Sequence, residues 1–230
     1  MKRYLPFLII ALVALLTVGV ATAVYRSKLR PAQATTAATA PTPMSSAAAA
    51  AAEKDDETVH ARGPRSAPVT LEIYGDFQCP SCAVASAMIE DLQKELSPKV
   101  RVVFHQFPLS MHKHAVTAAM AAEAAGLQGH FWEMHDMLYK YQSVWSTATT
   151  VSAFYAAYAE SLGLDAGQFA LDAKSPEVQA RVISEGDAGV ARGVKNTPTI
   201  FINGREVQQG FRPEVLKQAI ESALAEKKKS

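Results

Sequence analysis

The sequence predicts an α/β domain, a parallel or mixed sheet covered by helices, and three features carry that prediction. An apolar strand pattern over Val69–Tyr74 runs into a helical pattern that opens on Cys79-Pro80-Ser81-Cys82, and a second apolar strand follows. Roughly 80 residues of helical pattern then interrupt the strands. The strands resume at Thr199–Ile202 and turn back through Asn203-Gly204, the strongest short hairpin signal a sequence carries.

The first 60 residues stand apart from this pattern. Lys2 and Arg3 precede Leu5–Val24, 20 residues without a charge, long enough to cross a bilayer core of about 30 Å. Basic residues ahead of the run favour an N-terminus in the cytoplasm and the remainder outside. Ala21-Thr22-Ala23 also fits a signal-peptide cleavage site, so a cleaved leader competes with an anchor. The apolar run exceeds the roughly 7–15 residues of a signal core, which favours the anchor. Residues 1–30 are therefore read as a membrane anchor or signal segment. Either way the protein is expected to be exported: single-pass in the cell membrane with its domain periplasmic or at the cell surface, or secreted if cleaved. Residues 31–60, rich in Ala, Thr and Pro and then in charge, have no face to bury and are read as a tether that includes His60.

Residues 61–230 are expected to form one domain. Five of the 23 Lys and Arg lie in the first 30 residues, leaving 18 basic against 22 acidic residues in the rest. That balance offers no basic face and argues against a nucleic-acid partner. Within the domain, Val69–Gly75 is the first strand and Cys79–Leu96 the first helix, with Ala85, Met88, Ile89, Leu92 and Leu96 on one stripe. Val100–Phe107 is the second strand. The helical insert, about 110–193, holds patterns over His112–Ala125, His130–Tyr141, Val151–Leu162 and Asp165–Asp172. Its last helix has Ser175 as N-cap and Pro176 at the first position. Arg205–Gln208 is the returning strand, and Pro213–Ala225 closes the chain as an amphipathic helix. The Lys227-Lys228-Lys229 tail is expected to fray.

The chemistry centres on the two cysteines, the only two in the chain. At i and i+3 they share one face of a first helical turn, within disulfide reach. The first sits where free N–H groups and the positive end of the helix dipole favour a thiolate. Pro80 fits the first helical position, where its missing N–H costs nothing. A low-pKa sulfur with a second beside it is the apparatus of thiol–disulfide exchange. Half of a zinc or copper site is the rival reading. It lacks partners, because no other cysteine exists and His112 and His114, two apart, point to different helix faces. These two histidines are expected to cap their helix, His105 and His135 to pack against neighbours, and the aromatics Phe131, Trp132, Tyr139 and Tyr141 to belong mainly to the core.

Taken together, Gly75-Asp76-Phe77-Gln78-Cys79-Pro80-Ser81-Cys82, Phe107-Pro108-Leu109 with His112-Lys113-His114-Ala115, Phe131–Asp136, and Thr197-Pro198-Thr199 with Asn203-Gly204 resemble the DsbA-like thioredoxin-fold thiol:disulfide oxidoreductases. The likeness covers about Pro68 to Ala225. It implies a thioredoxin fold with a helical subdomain inserted between its two halves, and no cofactor. It implies that Cys79 is the exposed nucleophile and Cys82 the buried resolving thiol. Pro198 would be cis, presenting the Thr197 backbone to an extended substrate. Two positions depart from the family. Ser81 replaces the histidine of strongly oxidising members, which implies a milder oxidant. The buried carboxylate of the first strand falls at Ile73, while Glu72 points to the other face, so a proton relay would be missing or rerouted through Glu72 or water.

On this reading the protein is a monomeric, membrane-tethered oxidoreductase acting on unfolded or reduced proteins. It is expected to oxidise them and to be regenerated by a quinone-linked membrane partner. A reductase of the same fold, and a non-catalytic metal-binding or holdase module, are the alternatives.

Overall fold

The computed structural model describes residues 60–208 and 212–227. The anchor and tether, except His60, lie outside the described residues, as do the last three residues. Among the described residues no helix is long and apolar enough to cross a membrane.

Five strands form one mixed sheet in the order β1-β3-β2-β4-β5. The strands are β1 (His60–Arg62), β2 (Val69–Gly75), β3 (Val100–Gln106), β4 (Thr199–Ile202) and β5 (Arg205–Glu206). The centre is the parallel pair β2–β3, with Ile73 opposite Phe104, and β4 runs antiparallel to β2 with Ile200 opposite Ile73. Parallel strands need a crossover, and α1 (Pro80–Leu96) supplies it, burying Cys82, Ala85, Ile89 and Leu92. The hairpin β4–β5 turns on Asn203 and Gly204, with φ of 47° and 79°. A type I′ turn requires positive φ at both central residues, which Asn and Gly tolerate. The closing helix, α8 (Pro213–Lys227), lays Leu216, Ile220 and Ala223 into the core.

Between β3 and β4 lie α2 (Ala115–Gly126), α3 (Phe131–Lys140), α4 (Gln142–Trp145), α5 (Ser152–Ser161), α6 (Ala166–Asp172) and α7 (Pro176–Ala191). The first of these is the hub, contacting α3, α5, α6 and α7. Its alanines 118, 119, 121, 122, 124 and 125 are all but inaccessible, and small side chains let neighbouring helices close in. Ser175 caps α7 as its sequence implies, its Oγ accepting from the Val178 N–H at 3.1 Å.

Three local expectations are corrected. His60 is not in the tether: it begins β1, pairs with Phe104, stacks on Phe131 at 3.4 Å and hydrogen-bonds the buried Glu123 at 2.8 Å. The helix expected from His112 begins at Ala115, because His112 and His114 are engaged elsewhere and neither caps it by a side chain. The short α4 was not anticipated. His105 and His135 do pack, stacked on Tyr74 at 4.6 Å and inside the aromatic cluster respectively.

Candidate active site

The end of β2 sets the geometry. Gly75 lies where an added β-carbon would stand 2.6 Å from the Phe104 ring, so a side chain there would push strand and core apart. The chain then turns at Asp76, whose carboxylate is wholly buried. Its Oδ1 accepts from the Gln78 N–H at 2.7 Å, and its Oδ2 from the Leu109 N–H at 2.9 Å and from His112 Nδ1 at 2.7 Å. Its main-chain carbonyl accepts from the Cys79 N–H at 3.1 Å. One carboxylate thus ties the turn that carries the cysteines to the loop that follows β3.

A second brace comes from the insert. Gln142, buried on α4, donates from Nε2 to the Phe77 carbonyl at 2.7 Å and to the Cys79 carbonyl at 2.9 Å. Gln78 donates to the Ser146 carbonyl at 2.9 Å and accepts from the His114 N–H at 2.6 Å, while His114 Nε2 meets the Ala148 carbonyl at 2.9 Å. The histidines expected as caps are parts of this scaffold instead.

Cys79 is the N-cap of α1 and Pro80 its first residue, as the sequence implies. Both cysteines carry free thiols. Cys79 is not exposed as expected: at 6% accessible it is nearly as enclosed as Cys82 at 3%. Its Sγ lies 3.0 Å from Ser81 Oγ and 3.6 Å from the Thr197 carbonyl oxygen. The Thr197–Pro198 bond is cis, and the Thr197 hydroxyl is buried beside the sulfurs. The structure therefore gathers Cys79, Pro80, Ser81, Cys82, Thr197 and Pro198 in one place.

The two thiols are driven in opposite directions. The Cys82 S–H, donating to Cys79, is the largest influence that lowers Cys79; the Ser81 and Thr197 hydroxyls and the Cys82 N–H add to it against burial. The thiol falls from about 9 to about 4. That same bond to a neighbouring anion, together with burial, pushes the Cys82 thiol far up. A neutral Cys82 beside an anionic Cys79 fits a nucleophile and a resolving partner.

Glu72 does not serve this pair. Burial works to raise its pKa, but bonds from His105 and Arg192 overcome that and hold the carboxyl at about 2. Arg192 Nη2 donates to its Oε1 at 2.9 Å. Among the described residues, no group of three or more His, Cys, Asp or Glu side chains is placed to hold a metal ion. Sequence reasoning missed Asp76, His112 and Gln142. Asp76 lies in the Gly75–Cys82 stretch, and its position three residues before Cys79 was the available signal; Gln142 gave none.

The thioredoxin family model matches residues 54–222. The chain belongs to the thioredoxin family. A solved structure described as a thioredoxin-like oxidoreductase from Silicibacter pomeroyi DSS-3 is 25% identical, with a TM-score of 0.61 over 76% of this chain and 95% of that one. The alpha-DsbA1 of Wolbachia pipientis, 14% identical, shares the fold with a TM-score of 0.64 over 73% of this chain and 92% of its own. This thioredoxin-family chain is DsbA-like in architecture, its helical insert included. A relative named Na(+)/H(+) antiporter NhaA 1, from Salinispora arenicola (strain CNS-205), is 39% identical over 172 residues. Those residues are 74% of this chain and 26% of that relative, so the chain spans about a quarter of its length.

Proposed function

We propose that the protein is a thiol:disulfide oxidoreductase that donates its Cys79–Cys82 disulfide to reduced protein substrates. The observation that carries this reading is the arrangement at the start of α1: Cys79 Sγ lies 3.0 Å from Ser81 Oγ and 3.6 Å from the carbonyl of the cis Thr197–Pro198 bond, with Cys82 one turn on, and these surroundings hold the Cys79 thiol down and push the Cys82 thiol up. A stabilised thiolate lowers the energy of the dithiol form, which makes the disulfide form a better oxidant. A substrate thiolate attacks Cys79 Sγ and expels Cys82; a second substrate thiolate then attacks the substrate sulfur of the mixed disulfide and expels Cys79 as a stable anion.

Thr197 and Pro198 hold the substrate segment beside Cys79, the Thr197 carbonyl supplying an acceptor to an extended chain. The exposed side chains Val84 and Val144 lie on the helices that carry Cys82 and Gln142, and they suit unfolded, apolar clients. Work outside the cytoplasm, held by the N-terminal segment and recharged by a membrane redox partner, completes the proposal. The likeness to a region of proteins named as antiporters supports a place at a membrane.

The test is the reduction potential of the pair in the purified chain. A value near −120 mV, typical of a strong oxidant, or up to about −180 mV supports oxidation of substrates. A value near −270 mV makes the protein a reductase instead.

A further inference from the structure

The exchange reaction requires Cys82 to give up a proton inside the core whenever it attacks. No carboxylate stands at Ile73, and Glu72 is held by Arg192 and His105. The Asp76 carboxylate is taken by three donors of its own. The Asp76 main-chain N–H and the Thr197 hydroxyl favour a Cys82 anion, but a donor cannot carry the proton away.

A small cavity of about 20 Å³ is lined by Cys82 and Ser86 of α1, by Phe104, and by His135 and Tyr139 of α3 among others, large enough for one water molecule. The buried His135 ring lies 4.8 Å from that of Phe104 and 5.0 Å from that of Tyr139. Its Nδ1 is 2.8 Å from Asp136 Oδ1. An ionised carboxylate only accepts, so Nδ1 carries the hydrogen and the lone pair is on Nε2. Asp136 accepts in turn from Arg62 Nη2 at 2.7 Å; its bonds to His135 and Arg62 overcome burial and hold its carboxyl below the ordinary value. Burial pushes the imidazole down against the pull of Asp136, which makes it a neutral base at physiological pH. Besides Asp136, the titratable and charged groups facing the ring are Arg62 and His60 of β1, Cys82 and Glu90 of α1, and Tyr139. An open groove of about 490 Å³ on the outer side is lined again by Ser86 and Tyr139, and by Asp136.

We propose that His135 is the proton acceptor of the Cys82 half-reaction, oriented by Asp136 and reaching the sulfur through one water in the shared cavity. The proposal rests on the oxidoreductase reading. When a mixed disulfide on Cys79 resolves, the Cys82 S–H gives its proton to the water as the water gives one to His135 Nε2. The Cys82 sulfur bonds to Cys79 Sγ, and the substrate sulfur departs with the electron pair. In the oxidising direction Cys82 departs with the pair and takes a proton back by the same path, and solvent in the groove balances the imidazole at the end. The Cys79 anion, the first cause of the raised Cys82 value, is gone from the mixed disulfide, so the transfer is required only when Cys82 is easier to ionise. Asp136 stabilises the imidazolium while it lasts.

The reduced chain is mixed with oxidised glutathione between about pH 7 and about pH 8 and quenched in acid, and mixed disulfide and closed disulfide are counted by mass spectrometry. With its base built in, the native chain resolves at rates that differ by less than about twofold across this range. Attack by Cys79 precedes any ionisation of Cys82, so His135→Phe, which keeps a ring in the cluster, leaves it within about twofold. Resolution at neutral pH slows about tenfold or more and climbs by nearly tenfold per pH unit, because bulk hydroxide must now ionise Cys82. Resolution within about twofold of the native rate, or slowed with an unchanged pH slope as lost packing alone would give, overturns the role of His135. Native protein that never forms the mixed disulfide overturns the oxidoreductase reading instead. If His135→Phe does not fold, Asp136→Ala, on the half-exposed side, decides: slowed resolution with intact attack supports the relay, and an unchanged rate overturns it.

Discussion

The two sulfurs of the motif stand one helical turn apart and occupy opposite chemical worlds. The Cys79 side is polar and jointed: Ser81, Thr197 and Cys82 all offer hydrogens to one sulfur, and Gln142 and Asp76 fix the backbone that presents it. The Cys82 side is packed and aromatic, with Phe104 and Tyr139 lining the same small cavity, and only the Asp76 N–H and the Thr197 hydroxyl favour its anion. Near-equal burial thus yields unequal acidity. At similar accessibility the bonds that each sulfur makes set its acidity, and burial adds to the rise of Cys82.

The bluntest way to break this asymmetry is Cys79→Ser, which is expected to abolish disulfide exchange in an insulin-reduction assay, whereas Cys82→Ser retains a single attack and traps mixed disulfide. Next in size is the frame beneath both sulfurs. Asp76→Ala removes the acceptor for two N–H groups and His112, and is expected to cost about 3 kcal/mol in urea unfolding. Cys82→Ala deletes the largest influence on Cys79 and should raise its thiolate midpoint by about one to two pH units. Ser81→Ala, losing one neutral donor, should raise it by about one unit or less.

The asymmetry also sets the pH dependence of the reduced form. Cys79 is depressed on folding, so its stabilising contribution is complete only above the unfolded value of about 9 and is lost as pH falls through about 4. Cys82 is raised, and it opposes folding only where an unfolded thiol would ionise, above about 9. Between those limits reduction binds one proton. The potential is therefore expected to fall by about 30 mV per pH unit there, rather than the roughly 59 mV of an unperturbed dithiol. A slope of about 59 mV at neutral pH would remove the asymmetry altogether.

Much of this was legible beforehand, for identifiable reasons. Val69–Gly75, α1, the Ser175-capped α7 and the Asn203-Gly204 hairpin announce themselves through periodicity, capping and turn chemistry, all local signals. The strand β1 does not: its three residues, His60–Arg62, owe their state to pairing with β3 and to the Glu123 carboxylate 63 positions away. The cysteines and Thr197-Pro198 were readable because the chemistry restricts residue type. Gln142 and His112 were not, because a glutamine brace or an Asp–His bond exists only once distant loops meet. Glu72 was legible in part: alternation along β2 put it on the other face, but the distant partner Arg192 that occupies it there was not readable.

The central claim is that the surroundings of residue 79 make it an anion at physiological pH. Following the ultraviolet absorbance of the thiolate while the reduced native chain is acidified tests it most directly. The account predicts one chromophore vanishing with a midpoint near 4, absent from Cys79→Ser. A midpoint near 9, that of an unperturbed thiol, would contradict it.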